Sequence, residues 1–178
     1  MNRLRFRRIL GISALASTAL VSGCLYGFKG GGGFPSDIHT IYVEPFENQT
    51  AQVELDQQLF RRLTDRLPRA LGIRLGGEEN ADAVITGKIT RYDNVGQNYV
   101  PGAATPTSSA GLNIVTNQVT ITVSAQIVDR KRNVVLWEST SLVGRGDYRT
   151  TDQQETDGRD IALNHILQQI IDGAQSQW

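Results

Sequence analysis

The clearest hydrophobic pattern in the chain lies between residues 117 and 129. Val119, Ile121, Val123, Ala125 and Ile127 alternate there with Gln118, Thr120, Thr122, Ser124 and Gln126. A period of two over this length predicts a β-strand with one covered and one wet face. Residues 38–46 repeat the pattern, with Ile41 and Val43 against Tyr42 and Glu44. Pro45 stops that run because it has no N–H to give to a ladder. In residues 83–92, Ala83, Ile85, Gly87 and Ile89 face a core, and Val84, Thr86, Lys88, Thr90 and Tyr92 face away. Residues 134–143 put Val135 and Trp137 on one side and Leu136 on the other, and residues 73–75 suit a short strand end.

Two segments follow the helical period instead. Leu55, Leu59, Leu63 and Leu67 form one stripe of a helix over residues 52–67, with Gln58, Arg61, Arg62, Asp65 and Arg66 around it. Pro68 should kink or end it, and Gly72 suits its C-terminal stop. Leu163, Ile166, Leu167, Ile170, Ile171, Ala174 and Trp178 form the stripe of a last helix, and Thr151, Asp152 and Thr156 are competent N-caps for it. The predicted order is strand, helix, three strands, helix. The expected fold is α+β: a two-layer sandwich, with a four-stranded, mostly antiparallel sheet and two helices on one face. Residues 93–116 are rich in Gly, Ala, Ser, Thr, Asn and Pro. They are either a long loop or an extension of the flanking strands into a long hairpin.

The N-terminus has a different pattern. Arg3, Arg5, Arg7 and Arg8 precede an apolar run from Ile9 to Val21. As a helix that run would be about 20 Å long, too short for a hydrocarbon core of roughly 30 Å. It is laid out as a secretory signal peptide. Val21-Ser22-Gly23-Cys24 then resembles the bacterial lipobox, which makes Cys24, the single cysteine, the expected lipid attachment point and first mature residue. The expected organisation is a signal peptide over residues 1–23, a lipidated and Gly-rich tether over 24–36, and one α+β domain over 37–178.

Cleavage changes the charge. Four of the 18 Lys and Arg precede Cys24, so the mature chain has 14 basic groups against 18 acidic ones. That balance argues against a nucleic-acid partner. His39 and His165 lack metal-ligand companions at useful spacing, and neither a P-loop nor a nucleophile elbow is present. No catalytic residue, metal or cofactor is expected, and both histidines read as structural.

The lipobox, TIYVEPFENQT at residues 40–50, ADAVITGKI at 81–89, VDRKRNVVLWES at 128–139 and a last helix ending in Trp178 together resemble the LptE family of lipoproteins. The resemblance implies an outer-membrane lipoprotein that assembles with the LptD β-barrel as a plug and assists lipopolysaccharide transport and insertion. Leu25 stands where an Asp would resemble an inner-membrane retention signal. The resemblance also supplies an anionic ligand for Arg130, Lys131 and Arg132. These three adjacent cations occupy a predicted turn, where burial without partners would be costly. The helix face bearing Arg61, Arg62 and Arg66 is the next candidate. A periplasmic regulator or secretion-pore lipoprotein of the CsgG or TolB N-terminal kind is the alternative reading, because such chains also open with a strand, a similar turn and a helix.

Overall fold

The computed structural model describes residues 34–101 and 112–176. The signal peptide, Cys24, most of the tether and Trp178 lie outside the described residues. The described chain runs β1 (Thr40–Val43), β2 (Glu47–Asn48), α1 (Leu55–Leu71), β3 (Arg74–Leu75), β4 (Ala83–Pro101), β5 (Leu112–Asp129), β6 (Val134–Arg149) and α2 (Glu155–Ser176).

The fold is mixed α+β, but the sheet has six strands rather than the expected four, in the order β3-β1-β4-β5-β6 with β2 also paired to β4. Pro45 accounts for one added strand. It interrupts the first ladder, and pairing with β4 resumes at Glu47, opposite Lys88. Arg74 and Leu75 supply the other, beside Thr40 and Ile41. The pairs β1–β3, β1–β4 and β2–β4 are parallel, because α1 lies in the crossover between β1 and β4. The pairs β4–β5 and β5–β6 are antiparallel. Residues 93–116 resolve toward a hairpin: β4 continues to Pro101, whose partner is Leu112.

Both helices cover one face. Leu55, Leu59, Leu63 and Leu67 of α1 are fully buried, as are Ala162, Leu163, Ile166, Ile170 and Ala174 of α2. They meet Ile41, Ile85, Ile89, Ile121 and Ile127 from the sheet. Pro68 does not end α1. It sits in the last turn, where its missing N–H removes a single ladder bond, and Gly72 closes the helix at φ 71°. The start of α2 also departs from expectation. Asp157 reaches back from its first turn, and its Oδ2 accepts the Gln154 N–H at 2.8 Å, half of a capping box. Helix α2 approaches β6 so closely that a Cβ on Gly146 would lie 1.9 Å from the carbonyl oxygen of Gly158.

Two bulges overturn expected side-chain directions. The register shifts between Ile89 and Arg91, which brings Tyr92 round to pack against the core. A second shift at Leu136 buries Leu136 and Trp137 together, while Val135 remains 48% exposed.

Candidate functional site

The β5–β6 turn was the expected site, and β4 and β5 place two carboxylates against it. Asp129, the last residue of β5, is 1% exposed. Its Oδ1 accepts the backbone N–H of Lys131 at 2.8 Å and of Arg132 at 3.0 Å. Its Oδ2 accepts Arg132 Nε at 2.5 Å. Asn133 then takes φ 53°, a left-handed value that asparagine tolerates. Arg132 also reaches Asp37, at 2.8 Å.

Asp82, just before β4, is the second carboxylate. Its Oδ1 lies 2.6 Å from Lys131 Nζ. Its Oδ2 accepts the backbone N–H groups of His39 and Thr40, both at 3.0 Å, and the Thr40 hydroxyl at 2.9 Å. The Thr40 oxygen accepts the Asp82 N–H in return, and the Arg130 N–H donates to the Asp82 carbonyl. Asp82 thus ties the entry of β1, the start of β4 and the β5–β6 turn together.

The electrostatics follow from this geometry. The Lys131 ammonium, then the N–H of His39 and the Thr40 hydroxyl, hold the Asp82 carboxyl well below the usual range. The Arg132 N–H and guanidinium lower the pKa of Asp129. Asp82 in turn raises the pKa of Lys131. Lys131 and Arg132 are therefore engaged inside the protein, although their side chains remain 73% and 54% exposed. Arg130 is exposed and contacts no carboxylate among the described residues. Asp82 is not among the site residues that the sequence singled out. Its one local signal is position: a lone acid between Ala81 and Ala83, both buried.

A second polar cluster lies farther along the sheet. The Tyr92 hydroxyl donates to Glu155 at the start of α2, and Asn94 Nδ2 donates to Glu155 at 3.0 Å. Asn94 and Asn117 each donate to the Tyr148 oxygen at 2.9 Å. Burial, then Glu155, pushes the Tyr92 hydroxyl pKa up. This cluster joins β4, β5, β6 and α2. On the sheet face away from the helices, an open groove of about 430 Å³ is lined by Thr86, Lys88, Ser124, Gln126 and Glu138 among others, and Lys88 pairs with Glu47 at 2.9 Å. His39, just before β1, and His165, on α2, are both exposed. No group of three or more His, Cys, Asp or Glu among the described residues is placed to hold a metal ion, and no helix among them is long and apolar enough to cross a membrane.

Comparison with solved structures finds several proteins of low identity, lipoproteins among them. A lipoprotein from Neisseria meningitidis is 13% identical, with 74% of this chain and 97% of that one covered and a TM-score of 0.43. A minor lipoprotein from Acinetobacter baumannii is 18% identical, with 80% and 94% covered and a TM-score of 0.42. A protein from Xanthomonas campestris is 8% identical, with 82% and 91% covered and a TM-score of 0.49. A comparison with curated proteins returns no match. The family model LptE, lipopolysaccharide-assembly, matches residues 38–175. That match runs from the residues before β1 almost to the end of α2, and the chain belongs to the LptE lipopolysaccharide-assembly family.

Proposed function

We propose that the chain is an outer-membrane lipoprotein, cleaved before Cys24 and acylated there, that assembles with an LptD-type barrel. It assists the transport and insertion of lipopolysaccharide, with its domain facing the periplasm or seated in the barrel lumen. The observation that carries this reading is the family match over residues 38–175. The uncovered sheet face supports a lumen-facing role: its Thr, Ser, Gln, Lys and Glu side chains suit the polar interior of a large barrel. Two or three acyl chains on Cys24 would hold the protein at the membrane, since each buried CH₂ contributes about 0.8 kcal/mol.

Within this reading, the turn Arg130-Lys131-Arg132 contacts lipopolysaccharide phosphate chiefly through Arg130, because Lys131 and Arg132 already serve Asp82, Asp129 and Asp37. Co-purification from native membranes tests the assembly. One large barrel in equal amount is the expected result, and a ring of self-copies would favour the CsgG or TolB type instead. Cys24→Ala should remove the acylated N-terminus seen by mass spectrometry. Normal outer-membrane fractionation of that variant would overturn the anchor.

A further inference from the structure

Helices α1 and α2 lie side by side, and an open groove of about 430 Å³ is lined by Arg61, Arg62, Asp65, Arg66 and Asn164. All five lining side chains are polar. Arg62 is the most enclosed of the three arginines whose surroundings define the groove, with its side chain 25% exposed. Its Nη2 pairs with Asp160 at 2.6 Å and its Nη1 donates to Asn164 Oδ1 at 3.2 Å. Its Nε is buried and has no acceptor. Arg66 donates to the same Asn164 oxygen at 3.4 Å.

Two guanidinium groups therefore share one neutral carbonyl. They stand four residues apart on α1, a spacing at which like charges repel. Asp65, the one carboxylate lining the groove, is drawn to Arg69 at 2.5 Å. Neither Arg61 nor Arg66 contacts a carboxylate among the described residues. The groove thus holds unused donors, an unbalanced positive charge and room for a compact anion.

We propose that this groove binds a phosphate group through Arg61, Arg62 and Arg66. Guanidinium forks match phosphate oxygens and can bond them two at a time. An anion there would relieve the repulsion between Arg62 and Arg66. The polar lining admits a phosphate and its adjoining sugar or glycerol, and leaves any acyl chain of the carrier outside the groove. The functional reading bears only on the carrier of the phosphate: a phosphorylated glycolipid if the chain handles lipopolysaccharide, a phospholipid headgroup or a soluble phosphate otherwise.

The test uses the mature chain in a neutral detergent at low salt. Binding is measured to bisphosphorylated lipid A, dephosphorylated lipid A, phosphatidylglycerol and inorganic pyrophosphate. Bisphosphorylated lipid A should bind at least about tenfold more tightly than its dephosphorylated form, and the preference should weaken with salt. The Arg61→Gln/Arg66→Gln double variant should lose most of that preference at an unchanged urea midpoint. The single variants Arg61→Gln and Arg66→Gln, each removing one exposed cation, should show intermediate losses. Equal or tighter binding of phosphatidylglycerol would assign the groove to a phospholipid headgroup, and of pyrophosphate to a soluble phosphate. Either result keeps the anion site while leaving the lipopolysaccharide reading to the co-purification experiment. Phosphate-independent binding, or an undiminished preference in the double variant, overturns the proposal.

Discussion

The described residues include two arginine-rich stretches: the turn at residues 130–132 and the α1 face at residues 61–66. Their electrostatic surroundings are opposite. In the turn, Asp82, Asp129 and Asp37 pair with Lys131 and Arg132, and Asp82 and Asp129 also accept backbone N–H groups. On α1, Asp160 pairs with Arg62, Asp65 turns to Arg69, and Arg61 and Arg66 have no carboxylate partner among the described residues. A run of cations in sequence therefore shows charge but not availability. Carboxylates far away in the chain decide whether the charge is used to hold the fold or left to meet a ligand.

The largest expected effect calibrates the comparison, because α2 forms one wall of the arginine groove. Ile166→Ala and Ile170→Ala should each cost about 2–5 kcal/mol in urea melts, since both side chains are fully buried. Gln168→Ala, on the exposed face, should stay within about 0.5 kcal/mol. Equal costs at the two kinds of position would mean that the helix does not present the face described.

Next in size is the carboxylate that sets the turn apart. Asp82→Ala leaves the N–H groups of His39 and Thr40 without their acceptor and should cost about 1–3 kcal/mol. A loss no larger than that of a surface substitution would erase the distinction between the two stretches. Acid sharpens the same point. Asp82 and Asp129 have folded pKa values below their ordinary ones. Their contribution is therefore fully present above the unfolded value, near pH 4, and is lost as pH falls through the lower folded values. Between pH 5 and pH 2.5 the urea midpoint of Asp82→Asn should fall less than that of the wild type.

Smaller still is the effect of removing the cations themselves. Replacing Arg130, Lys131 and Arg132 with Ser should lower the urea midpoint, because Asp82 and Asp129 lose their charged partners. The Arg61→Gln/Arg66→Gln change should stay within about 0.5 kcal/mol, since it breaks no ion pair among the described residues. Indistinguishable melts for the two sets would collapse the comparison.

Much of the fold was legible from local periodicity. The leucine stripe of α1, the stripe of α2 through Ala174 and the alternation in β5 all appear at the expected residues and face one core. A repeating apolar face needs no distant information, because it must be buried whatever covers it. The misreadings concern β2, the omission of β3 from the strand count although residues 73–75 read as a short strand end, the direction of Tyr92 and the burial of Leu136. The strands are two residues long and are defined by their partners. The bulges are set by register across the ladder.

The candidate sites divide in the same way. By itself, the sequence determined that a positive run occupies a turn and that another shares a helix face, because spacing alone places residues on a turn or on one side of a helix. Only the tertiary structure decided which cations are already paired. Asp82 lies 42 residues from Thr40 in the chain, and Arg62 lies 102 residues from Asn164. Charges interact through space, over a few ångströms, and no local pattern records which distant groups the fold will bring within that range.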